Sequence, residues 1–162
     1  VREAEACVVE VGDSRAYLLR GETLQQLTRD QTLVQLLVDS GALTAEEART
    51  SSRKNILLQA VGSVDELQVA ISRLKLRRGD RLLLCSDGLS NAVSDDELRQ
   101  ILLAEEPASA CRKLVDLSNG RGGADNLTAV VAHVEGDGLP EAVPSEPLAR
   151  TLEVVRKFPG PG

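Results

Sequence analysis

The sequence predicts an α+β fold, and three observations carry that expectation. Short apolar runs of strand length, such as Leu82–Cys85, recur along the chain. Helix-period stretches with their own caps lie between them, and no internal repeat imposes one period on the whole. At 162 residues the chain suits one domain with a substantial core, since chains near this size bury about 68–70% of their unfolded surface.

The elements follow in order. Ala6–Val11 and Ala16–Leu19 are β-rich runs separated by Gly12-Asp13-Ser14-Arg15, turn-forming residues that predict a hairpin. Gly21-Glu22 makes a second turn and Thr23–Thr28 a third strand, so the opening is expected to be a meander. The period then changes. Leu33, Leu36, Leu37 and the Gly41 stop fit an amphipathic helix, and Thr44-Ala45-Glu46-Glu47 has the Thr-x-x-Glu form of a second helix start. Together 32–54 predicts a small helical insert projecting from a sheet protein. Asn55–Gly62 fits a short helix or a strand. Leu67–Leu74 and Arg81–Cys85 read as strands flanking the Arg77–Asp80 turn. Ser94 is the N-cap of a helix through Leu103, Pro107–Leu117 a further helix with Pro in its first turn, and Gly120–Gly123 a loop. Leu127–Val134 is the final strand. Residues 1–135 are expected to form the domain and 136–162 a linker or tail, in which Glu146–Phe158 fits one more short helix.

Composition excludes several classes. Apolar residues make up 42% and charged residues 27%, ordinary values for a globular chain. No apolar run approaches the roughly 18 residues of a membrane span, and Val1–Glu5 shows no signal-peptide pattern. The chain contains no Met, so its first residue is not expected to be the natural start. A net charge of −6 gives no reason to expect a nucleic-acid partner. One Tyr, one Phe and no Trp leave almost nothing for stacking on bases. Cys7, Cys85 and Cys111 form no CxxC pair, which argues against a disulfide scaffold and a zinc ribbon and for buried thiols in a reducing cytosol.

Three aspartates share one kind of position. Asp13 sits in the Gly-Asp-Ser turn after a strand, Asp87 follows the strand Leu82–Cys85, and Asp125 in Gly-Gly-Ala-Asp-Asn precedes the last strand. Carboxylates fixed at strand ends beside glycine would repel one another if they converged, unless a divalent cation lay among them. Their hard oxygens suit Mg²⁺ or Mn²⁺. An Asp beside Gly is also an ordinary turn former, and spacing alone does not establish convergence. The lone His133 reads as a sheet residue, and no second His or reactive-Cys context supports a nucleophile–histidine enzyme. Gly120–Gly123 lacks the Lys-Ser/Thr of a phosphate-binding loop. Asp95-Asp96 fits a helix N-terminus, where negative charge is favoured.

In order, Val11-Gly12-Asp13-Ser14-Arg15-Ala16-Tyr17, Leu27-Thr28-Arg29-Asp30, Asp80–Leu89 with its Ser86-Asp87-Gly88, and Ala124-Asp125-Asn126-Leu127-Thr128 resemble the PPM or PP2C family of metal-dependent protein phosphatases, in its bacterial serine/threonine branch. The similarity runs from about Ala6 to Val134. It implies an α-β-β-α sandwich of two antiparallel sheets flanked by helices, with two core Mn²⁺ or Mg²⁺ ions and a third in this branch. By resemblance Asp87 and Asp125 ligate a core ion, Asp13 with Asp87 the third, and 32–54 is the flap beside the active site. The implied reaction is hydrolysis of phosphoserine and phosphothreonine in proteins by a metal-activated water, so no residue acts as a nucleophile. Implied partners are phosphorylated proteins and a serine/threonine kinase, and the implied setting is bacterial signalling; the cytoplasm is expected from the free thiols and the lack of an export or membrane-span pattern.

The family's phosphate-gripping Arg and bridging Asp-Gly-x-Gly-Gly segment have no counterpart here. The chain is therefore expected to be incomplete at its amino terminus, weakly active or inactive alone, with exposed sheet edges. Gln31 stands where the family often has His. The competing expectation is a non-catalytic phosphatase-like scaffold that binds phosphoproteins or a kinase. A plain sheet domain without metal is a third.

Overall fold

Tyr17, Leu18 and Leu19 are all buried because β2 (Arg15–Arg20) lies at the middle of the molecule with a packed layer on each face. The structure is a computed structural model that describes residues 4–123, 125–142 and 150–155. Within them β2 joins β3 (Thr23–Gln26), β5 (Arg81–Cys85) and β6 (Ala129–His133) in an antiparallel sheet of order β3-β2-β5-β6. A second antiparallel sheet has the order β1-β4-β7, from β1 (Glu5–Glu10), β4 (Val69–Lys75) and β7 (Arg150–Val155). The α+β expectation and the two-sheet arrangement both stand.

Two cores follow from the alternation of β2. Tyr17 and Leu19 point with Leu83 and Cys85 toward three helices, α3 (Asp87–Ser90), α4 (Asp95–Ala104) and α5 (Pro107–Gly120). Those helices contribute Leu89, Leu98, Leu102 and Leu114, all fully buried. Ala16 and Leu18 point the other way, to Leu27 and Leu74, with Ala6 and Val8 of β1 packed against them. Each such leucine withdrawn from water stabilises the fold by about 1.5–3 kcal/mol. Leu84 and Val130, opposite each other in the β5–β6 register, stay about half exposed at 45% and 52%.

The helix caps are formed as their residues predict. In α4 the Ser94 hydroxyl accepts from the Glu97 amide while the Glu97 carboxylate accepts from the Ser94 amide. Arg121, beyond the end of α5, donates to the same Glu97 and clamps the two helices together; with the cap bonds it holds the Glu97 carboxyl down at about 2. The insert contains α1 (Leu33–Asp39) and α2 (Ala45–Thr50), with Gly41 at a φ of 74° after α1 and a Thr44–Glu47 capping box on α2.

Four expectations are corrected. The stretches around Gly12-Asp13-Ser14 do not form a hairpin: β1 pairs with β4, Glu5 opposite Lys75, while β2 belongs to the other sheet. The turn residues make a corner between sheets, so the opening meander is reduced to the β2–β3 hairpin. Glu146–Phe158 is not a helix where it is described, because Arg150–Val155 is a strand on β4, with Ala70 opposite Val154. Three β-branched residues among the six, Thr151, Val154 and Val155, favour that state over a helix. Asn55–Gly62 forms neither element, only an isolated bridge from Leu57 to Thr32. Finally, all three thiols are free, as expected, but Cys7 is exposed rather than buried.

Candidate metal centre

β2 and β5 run antiparallel with Arg15 opposite Cys85, which brings the residue group before β2 and the group after β5 to one end of the sheet. Asp13 belongs to the first group and Asp87 to the second. Cys85 is also opposite Ala129, so the Asp125 stretch before β6 arrives at the same end. Strand register therefore brings the three segments that carry these aspartates to one end of the sheet.

Short contacts fasten the last two together. Ser86 is the hub: its amide donates to the Thr128 carbonyl at 3.1 Å, its hydroxyl accepts from the Thr128 amide at 3.0 Å, and it donates to the Asn126 carbonyl at 3.3 Å. Gly88 packs directly on the opposing loop. A Cβ placed there would sit 2.6 Å from the Asn126 oxygen and 3.6 Å from the Asp125 Cβ. Behind it the Ser118 hydroxyl of α5 donates to the Gly88 carbonyl at 3.2 Å. The helical turn α3 begins at Asp87 itself, an element that the sequence reading missed because four residues show no period.

Electrostatics connect Asp13 to this edge. Its half-buried carboxyl is pushed above the usual carboxylate range, first by burial, then by the negative charges of Asp87 and Asp30. The sign of the linkage is definite: a raised folded-state pKa means a contribution to stability that is full below the ordinary value and lost as pH rises through the raised one. An ionised Asp13 is therefore a liability that Arg15 and a backbone hydrogen bond offset only in part and a bound cation would relieve further. Asp13→Asn is expected to raise the melting temperature of the metal-free chain at pH 7 and to shrink the further rise caused by Mn²⁺. A lower metal-free melting temperature in calorimetry would contradict this.

Asp30 is the residue that the sequence reading passed over, although it lies in the Leu27–Asp30 motif. Both its oxygens take the Arg15 guanidinium, at 2.7 to 3.1 Å, and Gln26 donates to it at 3.1 Å. Arg15 also donates to the Tyr17 hydroxyl at 3.1 Å. The pair fixes Arg15 beside the acidic edge and lends it a counter-charge.

The donor set fits a hard divalent cation in chemistry, being carboxylate oxygens on a rigid sheet edge. The Asp125 carboxylate accepts from the Asn126 amide at 2.7 Å. Among the described residues no three acidic, His or Cys side chains stand close enough to hold a cation between them, so the edge is a set of adjacent carboxylates rather than a closed cage. His133 lies at the far end of β6, with Nδ1 3.3 Å from Glu135, and takes no part.

No family model matches the chain. Individual relatives do: it is 43% identical over 127 residues to the serine/threonine protein phosphatase PstP of Mycobacterium tuberculosis, covering 78% of this chain and 24% of that protein. It is 44% identical over 135 residues to the protein phosphatase PhpP of Streptococcus pneumoniae, covering 82% of this chain and 55% of that one. A crystal structure of the Mycobacterium tuberculosis phosphatase superposes with a TM-score of 0.78 at 41% identity, over 82% of this chain and 56% of that one. The chain belongs to the PPM serine/threonine phosphatases. A further crystal structure, the catalytic domain of PstP in complex with two manganese ions, matches this PPM chain with a TM-score of 0.71 at 41% identity, over 84% of this chain and 56% of that one. The chain spans about half the length of PhpP and about a quarter of PstP. No helix among its described residues is long and apolar enough to cross a membrane.

Proposed function

We propose that the chain serves metal-dependent hydrolysis of phosphoserine and phosphothreonine in proteins, with Mn²⁺ or Mg²⁺ held at the Asp13, Asp87 and Asp125 edge. One observation carries the reading: the strand register brings three acidic segments to one end of the sheet, where the Arg15 charge offsets the burial of Asp13 and the charges of Asp87 and Asp30 only in part. The PstP structure with manganese supports the choice of cation.

The chain's own residues prepare the site. Asp87 and Asp125 would hold one ion and Asp13 with Asp87 another, while Ser86 and Gly88 set the spacing of the two loops. Hard divalent cations, when bound, supply neutralisation of phosphoryl charge and a more acidic water. Arg15, fastened by Asp30, keeps fixed positive charge near the carboxylates and limits their mutual repulsion. The natural substrates, within this reading, are phosphorylated proteins, with a serine/threonine kinase as the opposing activity and the cytoplasm as its setting.

The test is phosphate release from a phosphothreonine peptide by the protein and by its Asp87→Asn variant. Release that needs Mn²⁺ and falls by about 100-fold or more in the variant is the expected result. Release that survives in the variant, or in excess chelator, contradicts it. Mn²⁺ uptake with no release by either protein fits both a phosphatase domain that is inactive as this span alone and a phosphoprotein-binding scaffold, and assay of a longer span, matching the length of PhpP, separates the two.

A further inference from the structure

Gln31 occupies a junction that the sheets do not require. Its Oε1 accepts from the amide of Gly12, the residue before Asp13, at 2.7 Å, and from the Gln59 side-chain amide at 2.7 Å. Its Nε2 donates to the Gln68 carbonyl at 3.1 Å, where Gln59 also donates at 2.6 Å. Gln68 in turn donates its amide to Gln59 Oε1 at 2.9 Å. The main chain adds Gln31 N–H to the Gly12 carbonyl at 2.8 Å and Leu58 N–H to the Gln31 carbonyl at 2.9 Å.

One side chain thus joins three stretches distant in sequence: the corner at Asp13, the return from the helical insert, and the entry to β4. The chemistry demands an amide, because both oxygen lone pairs receive donors while the nitrogen donates to a carbonyl. A Glu would face the Gln68 carbonyl with negative charge, and a Leu would satisfy nothing. Gly12 is buried and held at a φ of 103°, a conformation that no Cβ restrains, so its hydrogen bonds fix the corner.

We propose that Gln31 is a positioning residue for the metal-binding end, tying the helical insert to the Asp13 corner so that the insert and the Asp13 carboxylate are held or released together. The functional half rests on the reading of Asp13 as a cation ligand; the mechanical half does not.

Two arms test it on the chain, using Gln31→Leu and the milder Gln59→Ala. In the first, amide hydrogen exchange is followed residue by residue without metal. Among the described residues Gln59 bonds to Gln31 and Gln68 and not to Gly12 or Asp13, which it reaches only by sharing the Gln31 oxygen. Exchange at the Gly12 amide is expected to quicken about fivefold in Gln59→Ala, the equivalent of one lost hydrogen bond, while Leu83 in β5 is unchanged. Unchanged Gly12 exchange overturns the coupling. In the second arm, Mn²⁺ is titrated calorimetrically. A dissociation constant raised about fivefold in both variants, neither of which removes a ligand, supports the proposal. An unaltered constant beside quickened exchange overturns it. A wild-type chain that takes up no Mn²⁺ counts against the carboxylate reading, and the exchange arm still decides whether Gln31 couples the two regions.

Discussion

An Asp80→Ala chain is expected to lose about 3–5 kcal/mol of stability, the cost of stranding a buried charge. Asp80 is fully buried, and the side chain of its partner Arg20 is only 9% exposed. The guanidinium reaches both carboxylate oxygens, at 2.9 and 2.8 Å, and Arg20 also donates to the Lys75 carbonyl. Asp80 further accepts from the Arg77 amide at 2.8 Å, closing the turn between β4 and β5. Its backbone carbonyl takes the Val134 amide at 2.8 Å. One residue therefore ties β2 of one sheet to the end of β4 of the other. Truncating it leaves the Arg20 guanidinium without a counter-ion in a dry site. Replacing both partners with apolar residues of similar volume, Asp80→Leu with Arg20→Met, is expected to recover much of the loss. Urea unfolding measures both. A loss below about 1 kcal/mol, typical of exposed pairs, would show that water screens this one after all.

Gly88→Ala is expected to damage the metal end more than the fold. The backbone at Gly88 is open to any residue, since its φ is not in the left-handed region. The obstacle is the Asn126 carbonyl, 2.6 Å from where the methyl would sit, and a backbone atom cannot rotate away. The Asp87 turn and the Asp125 loop must separate. Overpacking of this kind costs about 1–3 kcal/mol in stability. A displacement near 1 Å at a reacting centre costs about 100-fold in rate, and Mn²⁺ affinity is expected to fall with it. Calorimetric titration with Mn²⁺ beside the phosphopeptide assay provides the check. Affinity and rate both within twofold of wild type would mean that loop spacing does not set the site.

Local features of this molecule were legible in the sequence, and distant pairings were not. Thr44, Ser94 and Pro107 announce their helices because capping is decided within four residues. The run Arg81–Cys85 announces a buried strand for the same reason. Gly12-Asp13-Ser14 misled because its residues are turn formers in any corner, and what distinguishes a corner from a hairpin is β4, some sixty residues further on. Strand β7 pairs with that same β4, so its state is also set from a distance. The three aspartates could be singled out one by one as strand-end carboxylates beside glycine. Their common edge depends on the register of β2, β5 and β6, and the closeness of two of their loops on the missing side chain of Gly88. Asp30 ends the Leu27–Asp30 motif and Gln31 follows it directly, yet no spacing rule reveals that one restrains Arg15 and the other the insert.

The most direct measurement is calorimetric titration of Mn²⁺ into the chain, its Asp87→Asn variant, and an Asp116→Asn control on the exposed face of α5. Asp87 is the shared member of both proposed ligand pairs, so its loss removes more than either neighbour alone. Saturable binding to the wild type and the control, weakened at least tenfold in Asp87→Asn, is the predicted result. Equal binding by all three proteins would contradict a cation site at this edge.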